Sequence, residues 1–218
     1  MDSNIRQKEL LFQTEKYIKE HFEGEGSGHD WWHIYRVRNL ALKISKQEGG
    51  DIFIIEMAAL LHDLDDWKLS DETNNSKTKI WLQKMNLPVA EIKKILRIIE
   101  QVSFKGAGIE TKAISLEAQI VQDADRLDAI GAIGIARTFA YGGHKNRLMY
   151  DPAIKPEMHN SFEEYKKTTA PTINHFYEKL LLLKNRLNTQ TAIHLAESRH
   201  RYMEDFLEHF FKEWDCNF

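Results

Sequence analysis

The chain has a single cysteine, Cys216, near its end. Neither disulfide stapling nor cysteine ligation of zinc can therefore organise it, and a reducing compartment suits it. It also lacks an excess of positive charge. With 30 Lys and Arg against 33 Asp and Glu and an isoelectric point near 6.4, it has no basic field of the kind that tracks a nucleic-acid backbone, and long nucleic acids are not expected as partners. No apolar run approaches the length of about 18 residues that a membrane span needs, and Met1 to Arg6 hold no apolar core. A span and a secretion signal are thus not expected, and the reading is a soluble, cytoplasmic protein. There is no internal repeat, no low-complexity tract and no run of alternating β-branched residues that would build a sheet. A chain of 218 residues can still bury a sizeable core without staples.

What is present is a succession of amphipathic helical patterns, and the expected class is all-α. Leu10, Leu11, Tyr17, Ile18 and Phe22 form a helical stripe over about residues 6–22, which the glycines of residues 23–28 then break. Asp30 is placed to cap a helix running to about residue 47, with His33 in its opening turn. Gly49 and Gly50 end it, and the apolar run from Ile52 to Leu61 begins another that is expected to reach Asp66. Two amphipathic segments follow between residues 74 and 104, split at Asn86-Leu87-Pro88. A Gly106-Ala107-Gly108 elbow then leads into a long helical run over about residues 115–139. Gly131 and Gly134 fall inside that run, follow no strand and fit neither a P-loop nor a dinucleotide fingerprint, so close helix packing is the reading. Residues 141–160 make one long irregular connection, of a length often used for lids or binding loops. Helical patterns resume at about residues 161–167, 172–184 and 189–214.

The chemistry is concentrated where the apolar helix ends, at Leu61-His62-Asp63-Leu64-Asp65-Asp66-Trp67-Lys68. An imidazole beside a carboxylate is costly to bury unless the pair is coordinated or hydrogen-bonded, and together they can grip one divalent cation. If the helices before and after Gly49-Gly50 pack as an antiparallel pair, His33 meets His62 and Asp63. A carboxylate from Asp123-Ala124-Asp125-Arg126-Leu127-Asp128 would complete the set. Residues two apart on a helix diverge by roughly 200° and residues three apart by roughly 60°. Asp123 and Asp125 therefore cannot both face one ion, whereas Asp125 and Asp128 share a face.

The order of these groups, together with His29-Asp30-Trp31-Trp32-His33 and Asp125-Arg126-Leu127-Asp128-Ala129-Ile130-Gly131, resembles the HD superfamily of metal-dependent phosphohydrolases. It resembles most closely the small bacterial HD-domain proteins, among which are nucleoside triphosphate pyrophosphohydrolases. The likeness runs over nearly the whole chain and implies a single HD-domain helical bundle over residues 1–218, with a core of about 25–140 and extra C-terminal helices over about 160–218. It implies His33, His62, Asp63 and Asp125 as metal ligands, leaving Asp128 to line the site or steady a ligand, and Asp123 as a helix-surface charge or an ion-pair partner. Residues 64–124 contain no histidine, and relatives with two metals place extra histidines there, so one ion is expected. Mn²⁺ comes first, with Zn²⁺, Fe²⁺, Co²⁺, Ni²⁺ and Mg²⁺ as alternatives.

The resemblance also implies the reaction, hydrolysis of a nucleoside or deoxynucleoside triphosphate to monophosphate and pyrophosphate by a metal-activated water. Asp66 stands where relatives commonly carry a catalytic glutamate, and is expected to move the proton. Lys68 and Lys105 are the expected phosphate contacts, and Arg36 and Arg126 are expected to orient ligating carboxylates. His29 could touch substrate or steady a ligand, while the remaining histidines are read as mostly structural, with His144 and His159 flanking the irregular connection. Trp31, Trp32, Trp67 and Tyr150 could stack on a base, with core packing expected for at least two of them. Alternatives are a nucleotide 5′-monophosphatase or phosphodiesterase on the same site, and a silent HD module that binds a nucleotide or a partner protein. A homodimer is compatible with the sequence.

Overall fold

The computed structural model describes residues 3–24, 30–65, 76–102, 108–109, 111–158, 163 and 168–217. Among these the regular elements are all helical: α1 (Ser3–His21), α2 (Trp31–Glu48), α3 (Ile52–Leu61), α4 (Lys77–Lys84), α5 (Val89–Ile99), α6 (Leu116–Asp128), α7 (Gly131–His144), α8 (Asn174–Glu178), a 3₁₀ segment (Leu180–Arg186) and α9 (Gln190–Trp214). The class is all-α, as expected. The chain divides into two compact units, Met1–Ser103 with Thr111–Asp125, and Phe104–Glu110 with Arg126–Phe218.

In the first unit α3 is the central element. Phe53 through Leu61 are all buried, as befits a helix that is apolar on every side, and α1, α2 and α5 pack against it. Helix α1 contributes Leu10, Thr14 and Ile18, and Phe22 follows just past its end, a four-residue repeat that keeps one face inward. The one charged residue inside α3, Glu56, is 8% exposed and is answered by Arg38 of α2, whose Nε lies 2.7 Å from it. Arg38 also holds Glu15 of α1 at 3.0 Å, so one guanidinium joins three helices. Asp30 caps α2 as expected, its Oδ1 accepting the His33 N–H at 2.8 Å, and Asp51 caps α3.

Three boundaries differ from the sequence reading. The apolar helix stops at Leu61, and residues 62–65 form turns. The Ala59 carbonyl that a continuing helix would offer to the next turn receives His62 Nδ1 at 2.8 Å, and Leu64 N donates three residues back, to Leu61 O. The run expected over 115–139 breaks after Asp128. Here the Leu127 carbonyl accepts from Ile130 N and from Arg199 Nη1, and Gly131 turns the chain at φ +77°, a region open to glycine and strained for other residues. Gly134 answers a local need and not the helix-on-helix packing expected of it, since a Cβ there would collide with the Ala129 carbonyl in the turn that leads into α7. Helix α7 also continues through Gly142 and Gly143 to His144, shortening the irregular connection from its start.

In the second unit α7 packs on α9, with Phe176 and Phe206 stacked at 5.7 Å and Phe139 edge-on to Phe206 at 6.0 Å. Tyr150 is taken up edge-on by Phe211 and Trp214 at 5.4 and 4.9 Å, so it packs. The segment read as helical over 172–184 is α8 followed by the 3₁₀ turn. Lys179 departs from helical angles (φ −143°, ψ −61°), and Leu180 and Leu183, the two leucines of that run that are buried, sit at the three-residue repeat of a 3₁₀ helix. Residues 161, 162 and 164–167, with which that part of the sequence was expected to begin, lie outside the described residues.

Candidate metal centre

Each group at the centre is aimed by its own element. His33 lies in the first turn of α2, where the Asp30 cap fixes its backbone, and is 1% exposed. His62 and Asp63 follow the last residue of α3 and are both buried. The antiparallel packing of α2 on α3 through the Gly49-Gly50 turn brings His33 Nε2 to 3.2 Å from His62 Nε2. Asp63 reaches both rings, with Oδ2 at 3.3 Å from His33 Nε2 and Oδ1 at 3.4 Å from His62 Nε2. Asp125, on α6, places Oδ1 at 3.5 Å from His33 Nε2 and 3.9 Å from His62 Nε2.

These residues fit a divalent cation on two grounds. A carbonyl can only accept, so the Ala59 oxygen at 2.8 Å from Nδ1 fixes the proton of neutral His62 on Nδ1 and leaves the Nε2 lone pair facing His33 and Asp63. A lone pair turned toward a nitrogen and a carboxylate is satisfied by a proton or by a metal ion among them, and two imidazoles with a carboxylate are a donor set that suits a divalent ion. The spacing also matches. Bonds of about 2.0–2.2 Å set neighbouring donors roughly 3.0–3.5 Å apart at tetrahedral or octahedral angles; the separations among His33, His62 and Asp63, from 3.2 to 3.4 Å, fall in that range, as does Asp125 to His33 at 3.5 Å, while Asp125 to His62 at 3.9 Å stands outside it. His33, His62 and Asp63 form a compact group in which one ligand atom from each lies within 4.8 Å of the others. The Asp125 side chain, at 27% exposure, is the more open member and marks the side from which solvent reaches the centre.

The pattern that defines the HD domain matches residues 31–130, a span containing all four of these side chains. The chain is also 38% identical to YpgQ of Bacillus subtilis over 204 residues, 92% of each protein. This chain belongs to the HD-domain superfamily. Its fold is that of solved relatives. An HD-superfamily hydrolase of Bacillus thuringiensis shares 48% identity, with 97% and 100% of the two chains covered and a TM-score of 0.73. A Lactobacillus plantarum protein shares 39%, with 95% and 97% covered and a TM-score of 0.87. YpgQ has been solved in complex with ADP, and that structure superposes with a TM-score of 0.76 over 95% and 96% of the chains at 34% identity.

The other residues singled out in the HD sequence are placed as follows. Asp66, Lys68 and Lys105, with His29, Trp67 and His159, lie outside the described residues. The helix that was expected to reach Asp66 ends at Leu61. Asp123 is fully buried, which corrects its reading as a helix-surface charge: the side of α6 turned away from Asp125 is packed, as buried Ile120 and Leu127 show. Asp128 is buried and accepts from Arg137 Nη1 at 2.8 Å. Arg126 donates to the Arg186 carbonyl. Trp31 is buried, while Trp32 stands 58% exposed, edge-on to Tyr35. His144 is exposed.

Sequence reasoning missed Asp65. No role was assigned to it, yet its Oδ1 accepts Lys77 N at 2.7 Å and its Oδ2 accepts the Ser76 hydroxyl at 2.7 Å and Thr78 N at 3.2 Å. Nothing in the local pattern announces a partner eleven residues away.

Proposed function

We propose that this HD domain is a metal-dependent phosphohydrolase that cleaves nucleoside or deoxynucleoside triphosphates to the monophosphate and pyrophosphate. The observation that carries the reading is the convergence of two imidazole nitrogens and a carboxylate, 3.2 to 3.4 Å apart, at a buried point. The ADP complex of YpgQ supports a nucleotide as substrate, and the hydrolase of Bacillus thuringiensis supports the reaction class. His33, His62 and Asp63 hold the ion, and Asp125 is the fourth ligand. These residues would hold a divalent cation, Mn²⁺ being the first choice, which when bound would supply a water of lowered pKa and polarisation of a phosphoryl oxygen.

The protein's own groups supply the rest. Burial of His33, His62 and Asp63 keeps competing water from their side of the centre, and the Ala59 carbonyl holds the His62 ring in one tautomer. Asp66 takes the proton of the attacking water or returns one to the leaving group. Lys68 and Lys105 neutralise the β and γ phosphates. The protein works in the cytoplasm on a small soluble substrate; among the described residues no helix is long and apolar enough to cross a membrane.

Phosphorus NMR of products from a panel of nucleoside mono-, cyclic and triphosphates with added Mn²⁺ tests this. Pyrophosphate and a nucleoside monophosphate from triphosphates are expected. Orthophosphate from monophosphates would replace the reading with a monophosphatase, a new monophosphate from cyclic nucleotides with a phosphodiesterase, and silence with every metal with a binding module.

A further inference from the structure

The metal ligands His62 and Asp63 stand beyond the last turn of α3, where the helical ladder no longer fixes the backbone. Upstream, the turn is pinned by the His62 ring on the Ala59 carbonyl. Two residues downstream of Asp63, the Asp65 carboxylate accepts three hydrogen bonds from the start of α4, namely the Ser76 hydroxyl, Lys77 N and Thr78 N. Helix α4 has a cap of its own, since the Ser76 hydroxyl accepts Lys79 N at 3.1 Å. That cap leaves Lys77 N and Thr78 N, two of the N–H groups a first turn cannot satisfy within the helix, and these are the ones Asp65 takes. Helix α4 is also firmly seated. Trp81 stacks on Tyr17 of α1 at 3.9 Å and 6°, and its Nε1 donates to Thr14 at 3.0 Å, while Arg6 of α1 donates to the Asn86 carbonyl just past the end of α4 at 2.8 Å.

We infer that Asp65 is a positioning residue for the metal centre, tying the turn that carries His62 and Asp63 to the anchored first turn of α4 and so setting the aim of the Asp63 carboxylate. A carboxylate at a helix N-terminus meets free N–H groups and the positive end of the helix dipole, which makes these bonds shorter and stronger than neutral ones. The ligand pair is thereby held on both sides by side-chain bonds, at Ala59 and at α4. Without Asp65, the downstream end is released and Asp63 loses its fixed approach to the two rings.

The inference rests on the metal-site reading, and the experiment separates the two. Mn²⁺ affinity is measured by titration calorimetry, and metal-free stability by urea unfolding, for the parent, Asp65→Ala, Asp65→Asn and, as a control for cap loss alone, Asp51→Ala, whose carboxylate caps α3. Loss of a group that orients a ligand weakens metal binding by about 10- to 100-fold. That loss is expected for Asp65→Ala. A smaller one is expected for Asp65→Asn, which keeps an acceptor oxygen and serves as the test should Asp65→Ala not fold. Asp51→Ala should lose stability and keep parental affinity. In Co²⁺-loaded protein the visible absorption band should move for both Asp65 variants and stay in place for Asp51→Ala. Parental affinity and an unmoved band in the Asp65 variants would overturn the inference and leave the metal site standing. A parent that binds no divalent metal would overturn both.

Discussion

Replacing Asp63 with alanine separates the metal chemistry from the fold. Asp63 is the negative group at the meeting point of the two imidazoles, 3.3 and 3.4 Å from their nitrogens and 7% exposed. Its truncation removes the buried carboxylate between the two rings and leaves their nitrogens with the more exposed Asp125 as the donors. Binding of an ion to the native state alone stabilises by RT ln(1 + [L]/Kd), about 2.7 kcal/mol at a hundredfold excess over Kd. If Asp63→Ala weakens binding by about 100-fold, the same metal concentration contributes only about 0.4 kcal/mol. For a chain of this length each kcal/mol moves Tm by about 2–4 °C, so the metal-induced rise falls from about 5–11 °C to about 1–2 °C. Metal-free stability should change little, because the truncation also removes a desolvated charge. Differential scanning calorimetry with and without Mn²⁺ reads both quantities, with phosphorus NMR following turnover. A variant that keeps the full metal-induced rise, or full turnover, would refute the assignment of the centre.

Further expectations follow from single side chains. Asp66→Asn should keep Mn²⁺ affinity and lower kcat by about 10²- to 10⁴-fold, and an unchanged kcat would remove Asp66 from proton transfer. Arg38→Ala strands Glu56 in the core and should cost roughly 2–4 kcal/mol in urea unfolding, whereas Arg38→Met with Glu56→Leu should recover most of it; equal losses in both would deny the pairing. Gly131→Ala, at φ +77° with its new Cβ 3.0 Å from that of Arg199, should cost about 1–3 kcal/mol. At Glu117, burial pushes the pKa up, but hydrogen bonds from Lys94, its own backbone and Ser115, with the charge of Lys94 at 3.0 Å, outweigh it and hold the carboxyl below its usual value. A depressed folded pKa gives stability that is present above the unfolded value and disappears as pH falls through the folded one. The stability gap between parent and Glu117→Gln should therefore be full above the ordinary carboxylate range and close as pH falls through and below it; a gap that persists in acid would contradict the assignment.

What the sequence made legible was local or periodic. The Asp30 cap needs only a short carboxylate three residues before the N–H it accepts, and the burial of α3 follows from its having one polar residue. The approach of His33 to His62 follows from two helices and a Gly-Gly turn. The errors come from bonds that reach across the chain or off the backbone. The end of α3 at Leu61 is decided by an imidazole competing for a carbonyl, and the break before Gly131 by Arg199, seventy-two residues beyond the carbonyl it takes. Asp123 was misjudged because the angle between two helix positions says which residue leaves the site but not whether the opposite side meets water or packing.

Arg38 lies five residues after His33, and Glu56 six before His62, so their contact sits about a turn and a half inward from the metal ligands on the same two helices. Packed helices slide past one another at modest cost when only apolar ridges meet. Here a shift of one turn would part the imidazoles and, in the same movement, leave Glu15 and Glu56 without their shared cation. The alignment of His33 with His62 is thus guarded by an interaction that involves no metal, and it would hold before any ion is bound.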